Sequence, residues 1–215
     1  MYVPEHFALT DPSTLARIIR EHPLATLVSQ GPAGLDANHL PFDFDPDAGP
    51  VGTLRAHVAR ANPLWREIPD ASEVLVVFRG VAGYVSPNWY PSKQATHRQV
   101  PTWNYEVVHA HGRLRIRDDE RFLRGLLARL TRVHEAAEPR PWKMGDAPSD
   151  YLDAMLQAVV GIEIELTRLE GKAKLSQNKE TGDRLGAVAA LRRIGHDALA
   201  DAMARDLDEA APDTP

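Results

Sequence analysis

The residues best equipped for chemistry lie in 83–105, GYVSPNWYPSKQATHRQVPTWNY. Two aromatic-rich segments, 83–90 and 100–105, flank a polar loop at 92–99 that carries Lys93, His97 and Arg98. Such a set suits a flat anionic ligand. A ring such as Trp103 stacks, an amide such as Asn104 bonds to ligand edges, and a cation such as Lys93 meets phosphate. The alternative is an aromatic hairpin that simply fills a core.

A second candidate is the junction at 51–65. Residues 51–58 alternate as a strand, and Ala59-Arg60-Ala61-Asn62-Pro63-Leu64-Trp65 starts a short helix or turn. The free N–H groups of a helix start favour phosphate. Arg55 and His57 are two apart, so they share a strand face, with Arg60 and Asn62 just beyond. The alternative is that His57 and Asn62 only cap the helix and Arg60 is solvated. His109 and His111 also share a strand face and could hold a metal. No third ligand is evident in the sequence, and a solvated or dimer-facing pair is the simpler reading.

The chemistry is bounded by composition. There is no cysteine, which excludes disulfides, thiolate nucleophiles and Cys-ligated metals. The formal net charge is −5, but residues 51–130 hold 12 Lys and Arg against 7 Asp and Glu, while the rest holds 13 against 23. A basic middle in an acidic chain fits a local anion site better than a broad nucleic-acid surface, although scattered solvated arginines would give the same counts. No apolar run approaches a membrane span, and the N-terminus lacks a basic region followed by an apolar core, so a cytoplasmic location without membrane contact is expected. Dinucleotide and P-loop glycine patterns and the Gly-x-Ser-x-Gly elbow are absent.

The elements that must position these residues follow from periodicity. Asp11-Pro12 starts a helix that Pro23 ends. Residues 24–29 and 35–44 read as a hairpin around Gly31-Pro32-Ala33-Gly34, and 74–78 as a buried strand. A strand is expected over 107–116. Phe122, Leu123, Leu126, Leu127 and Leu130 then form the apolar stripe of a basic amphipathic helix running to about Ala137. That helix could lie on DNA or a membrane, but packing on the sheet is the commoner fate. The loop at 138–144, with Trp142, could reach a ligand held by a partner subunit. A short helix at 150–158 and a half-buried strand at 160–167 follow. From Asp183 the pattern is helical, through Leu185, Val188, Leu191 and Ile194, with Gly195 dividing two helices and a disordered tail expected at 211–215.

Four segments in order resemble the PaiB-type "FMN-binding negative transcriptional regulator" family. They are Met1-Tyr2-Val3-Pro4-Glu5-His6-Phe7, Gly83-Tyr84-Val85-Ser86-Pro87, Val100-Pro101-Thr102-Trp103-Asn104-Tyr105 and Lys174-Leu175-Ser176-Gln177-Asn178. The resemblance implies a mainly β, α+β chain. Its fold would be an antiparallel split β-barrel of the FMN-binding, pyridoxamine-phosphate-oxidase-like type, with peripheral and C-terminal helices, in a single domain over 1–210. It also implies an FMN cofactor and a homodimer. By position, it makes Arg55, His57, Arg60 and Asn62 phosphate-side contacts and adds Lys174, Ser176 and Gln177 as a second ligand-lining segment. A turn into the last helix is the alternative for that segment. The resembling proteins often carry Arg where this chain has Lys179, which keeps the charge and loses the bidentate fork.

The sequence therefore reads as an FMN-binding split-barrel protein, regulatory or flavin-dependent and redox-active, with no catalytic acid or base assigned. If it is redox-active, the flavin carries the chemistry. Two alternatives remain open. One is a DNA-binding repressor, weakened by the acidic chain and the lack of a reading helix. The other is a haem-handling split barrel, with His6, His57, His109 and His111 as conceivable ligands.

Overall fold

The computed structural model describes residues 1–208, so the tail expectation at 211–215 lies outside the described residues. The elements run β1 (Ala8–Leu9), α1 (Pro12–Glu21), β2 (Leu24–Gly31), β3 (Gly34–Pro41), β4 (Asp43–Asp45), β5 (Thr53–Ala59), α2 (Leu64–Glu67) and β6 (Ser72–Val85). They continue with α3 (Pro91–Thr96), β7 (Thr102–Arg117), α4 (Glu120–His134), α5 (Ser149–Gln157), β8 (Val159–Lys174), α6 (Thr181–Arg193) and α7 (Asp197–Asp208). The hydrogen-bonded strand order is β3-β2-β6-β7-β8-β5-β4, with β1 pairing antiparallel to β8. No helix among the described residues is long and apolar enough to cross a membrane.

The chain forms two compact units. The first takes Met1–Ile18, Arg79–Val108 and the residues from Glu170 on, and the second takes Ile19–Phe78 and His109–Leu169. The long strands β6, β7 and β8 contribute residues to both.

In the second unit, β2 and β3 pair from Leu24↔Pro41 to Gly31↔Gly34 around a two-residue turn, the hairpin expected from the glycines. β5 pairs with β8 from Thr53↔Glu165 to Ala59↔Val159. Period-2 alternation decides what this pairing buries: Leu54, Ala56, Val58, Ile162 and Ile164 are buried, while Arg55 and His57 share the other, half-buried face. α4 begins where the Asp119 carboxylate accepts the N–H of Phe122, and it buries Leu123 and Leu126.

In the first unit, α6 and α7 meet in an apolar cluster of Val85, Tyr90, Leu175, Val188, Leu191 and Met203. Gly195, at φ +77°, makes the left-handed turn between the two helices. α1 begins with the Asp11 carboxylate accepting from the backbone N–H and hydroxyl of Thr14 and the hydroxyl of Ser13. Those bonds lower its pKa to about 2.

Several boundaries differ from expectation, each for a local reason. The polar loop at 92–99 contains the helix α3, started by Pro91 and closed by His97 in a left-handed conformation. β7 starts at Thr102 rather than 107, because the aromatic segment 102–105 is itself strand. β8 runs on to Lys174, so the lysine segment opens as strand rather than turn. α4 stops at His134, short of Ala137. On α6 the expected stripe is wrong at both ends: Leu185 and Ile194 are exposed, while Asp183 and Arg184 are buried beside Ala187 and Leu191. Asp183 meets polar partners described below, and Arg184 donates to the carbonyl of Met203 (3.2 Å).

One close approach sets a test. A Cβ at Gly186 would collide with the carbonyl oxygen of Trp89, which is backbone and cannot yield. At Gly125 in α4 the nearest neighbour is the flexible end of Arg129, 3.5 Å away. Gly186→Ala should therefore destabilise by about 1–3 kcal/mol, whereas Gly125→Ala should stabilise by roughly 0.5–1 kcal/mol through helix propensity. Calorimetric unfolding of both variants checks the pair of opposite signs.

Candidate functional site

Of the ten residues singled out from the sequence, six fall in the first unit: Lys93, Trp103, Asn104, Lys174, Ser176 and Gln177. Arg55, His57, Arg60 and Asn62 fall in the second. The two sets have opposite electrostatic character.

In the first unit the turn after β8 is built around Ser176, whose φ of +67° is unusual for a residue with a side chain. Two devices hold it. Gln177 accepts the N–H of Leu175 (2.7 Å) and donates to the carbonyl of Ala173 (2.6 Å), bracing the turn from its own side chain. The Asn104 amide, fully buried, donates to the Ser176 hydroxyl (2.9 Å) and to the Met203 sulfur (3.3 Å). The Tyr90 hydroxyl lies 3.4 Å from the same serine oxygen. The Asn104 Oδ1 is buried with no partner, so this polar knot is not fully satisfied.

Around the turn stand three lysines. Lys174 donates to the Thr102 hydroxyl and to the carbonyl of Trp103 (2.9 Å). Lys172 donates to the carbonyl of Tyr2 (3.2 Å), between the rings of Tyr2 and Tyr105 at 5.7 and 5.5 Å. Lys179 donates to the Gln99 side chain (2.6 Å) and lies 5.5 Å from the centre of the Tyr90 ring. Every hydrogen-bond acceptor here is neutral, and none of the three is ion-paired among the described residues. Burial, with the charges of Lys172 and Lys179 adding to it, pushes the Lys174 pKa down from 10.5.

The two buried acids of this unit, Glu106 and Asp183, are committed elsewhere. Glu106, almost fully buried, accepts from Arg17 (3.2 Å) and Arg205 (3.1 Å). Asp183 accepts the N–H and hydroxyl of Ser92 and the amide of Gln99, which stands between it and Lys179. These bonds explain why Asp183 is buried on α6. Beside the lysines, Trp103 is 59% exposed and Tyr84 47%, their rings edge-to-face at 6.4 Å. Lys93 donates to the Asn88 side chain (3.0 Å).

In the second unit the expected phosphate contacts are already engaged. Arg55 is clamped by Glu163 (2.9 Å) and Asp45 (3.0 Å). Arg60 forks onto Asp118 (2.6 and 2.9 Å) and also donates to the carbonyls of Gln157 and Val159. Asn62 donates to Asn38 (2.7 Å) and accepts the N–H of Leu64, the first residue of α2. α2 is a single turn and offers little dipole. His57 is half-buried, with Nδ1 buried and unpartnered, and burial lowers its pKa from 6.5. The rings of His109 and His111 lie 6.4 Å apart in this unit. Within the 171–179 segment the sequence reading selects Lys174 but not Lys172, although their spacing by two residues within a strand is a readable sign of a shared face.

A platform of exposed rings beside uncompensated ammonium groups fits the two ends of a flavin phosphate. Residues 1–168 match a family model described as "Putative FMN-binding domain". The chain belongs to this family. Protease synthase and sporulation protein PAI 2 of Bacillus subtilis is 28% identical over 192 residues, 89% of each chain. An uncharacterized protein of Emericella nidulans is 33% identical over 233 residues, covering 92% of this chain and 93% of its own. Among solved structures, the flavocytochrome Anf3 from Azotobacter vinelandii superposes with a TM-score of 0.57 at 15% identity, over 80% of this chain and 72% of that one. That likeness is one of fold, and the split β-barrel class expected from the sequence is the observed one.

Two predictions follow from the geometry. Ser176→Ala keeps the left-handed backbone and strips the buried Asn104 amide of its oxygen acceptor, leaving only the Met203 sulfur, so it should cost about 1–3 kcal/mol; Ser176→Gly relieves the backbone and should cost less. Denaturant unfolding orders the two variants. Because His57 has a lowered folded pKa, the unfolded chain binds more protons in the window below 6.5. Its contribution to stability is full above that window and is lost as the pH falls through it. His57→Gln should therefore flatten the decline of stability on acidification below pH 6.5, measured as unfolding midpoint against pH.

Proposed function

We propose that the chain binds FMN as a cytoplasmic homodimer and uses it in a regulatory or redox role. The observation that carries this reading is the set of three lysines at 172–179 with only neutral acceptors, next to the exposed rings of Trp103 and Tyr84. A phosphate dianion is the natural counter-charge for such a set. Lys172, Lys174 and Lys179 would hold the phosphate, Ser176 and Gln177 would fix the turn, and Trp103 would offer a face to the ring system, with Lys93 and Asn104 in support. A bound flavin would supply hydride or electron transfer. The exposed apolar side chains of the first unit, among them Trp103, Val100 and Leu185, support its association with a second copy.

Arg55 and Arg60 could meet phosphate only by giving up their carboxylates, so the reading assigns them first to holding the second unit together. The same internal pairing weakens the DNA-binding alternative. Arg124 and Arg129 of α4 pair with Glu120, Asp153 and Asp43, and Arg192 of α6 pairs with Asp201.

Flavin fluorescence titration tests the assignment. FMN should bind saturably, and Lys174→Ala or Lys172→Ala should weaken it by roughly 10–100-fold, the loss expected for one charge-assisted hydrogen bond. Arg60→Ala should lower the unfolding temperature with a smaller effect on FMN affinity. Absence of FMN binding by the as-purified and the refolded protein would refute the reading.

A further inference from the structure

The second unit holds a feature to which the proposed flavin site assigns no role. Two cavities, about 420 and 330 Å³, open beside Trp142 and share Thr131, Glu135 and Trp142 in their walls. They form one groove between α4 and the segment that follows it. Each volume lies in the range of small-molecule sites, roughly 300–1,000 Å³. The larger is walled by Ala128, Ala136, Pro141 and Met144, and the smaller by Pro41, Leu127, Leu130 and the half-buried His57.

The outer wall is braced by hydrogen bonds. Trp142 donates its backbone N–H to the Glu135 carboxylate (2.9 Å), and Glu138 N–H meets the Glu135 carbonyl (3.0 Å). Lys143 and Asp146 close the next turn reciprocally, each bond 2.9 Å. A wall fixed in this way keeps the indole standing off α4 and leaves the groove formed in advance of any ligand.

Charge then decides what the groove would take. Arg124 and Arg129, on the same helix, are neutralised by acids. Arg132 and Lys143, which line the larger cavity, have no ion-pair partner among the described residues. Glu135 is the one acid in either wall, and its carboxylate is engaged by Trp142 N–H. An apolar trough with two unpaired cations at its side complements a molecule with an apolar body and a single negative head.

We propose that this groove binds a small organic anion of the size and character of a medium-chain carboxylate, at a site separate from the lysine-bearing turn. Calorimetric titration of the FMN-saturated protein with octanoate, octanol and octylamine tests it. Octanoate should bind saturably, one per chain, and about tenfold or more tighter than octanol, with octylamine weakest. The double variant Arg132→Glu/Lys143→Glu should lose about tenfold or more for octanoate while octanol is unchanged. Ala128→Phe, which fills the trough, should abolish both with cooperative unfolding retained, and Trp142→Ala should weaken both if Ala128→Phe fails to fold.

The proposal is overturned if octanoate does not bind, or if octanol and octanoate bind equally. It is overturned as a separate site if excess FMN displaces octanoate. It is also overturned if Ala128→Phe converts a dimer to a monomer in sedimentation equilibrium, because a second copy would then occupy the groove.

Discussion

The hydrogen bond from the buried Asn104 amide to the Ser176 hydroxyl is the contact on which the turn after β8 depends. Ser176 sits in a left-handed conformation that a serine adopts at a cost, and the Asn104 and Gln177 amides hold it there. The same turn ends β8 behind Lys172 and Lys174 and carries the chain to Lys179. The strained residue therefore fixes how the chain passes from Lys174 to Lys179, while Lys172 is placed within β8 by its pairing with Ala8 of β1. Asn104 does this from the interior of β7, next to Trp103, so the strand that offers the ring also holds the turn that offers the charge.

Electrostatics separates the arginines from the lysines. Arginines in this chain are used on carboxylates: Arg60 forks onto Asp118 in a two-point contact, Arg55 divides its donors between Glu163 and Asp45, and Arg17 and Arg205 each donate to one oxygen of Glu106. The lysines of the terminal turn are left with carbonyls, hydroxyls and amides. Partial burial of like charges without a counter-ion is unfavourable, as the lowered pKa of Lys174 registers. Such an arrangement destabilises the free chain and favours a bound anion, because the ligand supplies the charge that the protein withholds.

Much of the fold was legible in the sequence. Asp11-Pro12 marked a helix start, Gly31 and Gly34 a hairpin, and Gly195 a break, each because the residue type has one conformational use there. The α4 stripe was legible because apolar spacing maps onto one helix face. What failed did so where partners distant in sequence override local pattern. α6 buries Asp183 because Ser92 and Gln99 receive it, a pairing across more than eighty residues that no local pattern carries. The acid partners of Arg55 and Arg60, Glu163 and Asp118, also lie far along the chain, so their pairing was not legible from local pattern. The lysine turn was found through family resemblance. Its lack of counter-ions became visible only once the acids were placed.

The central claim is that the uncompensated lysines bind the phosphate of the cofactor rather than merely flanking a ring pocket. The most direct measurement is the affinity of the protein for FMN against riboflavin, which has the same ring system without the phosphate, at low and high salt. The account predicts that FMN binds about a hundredfold more tightly at low salt, with the preference shrinking as salt rises. Equal affinity for the two flavins, indifferent to salt, would contradict it and return the lysines to a purely structural role.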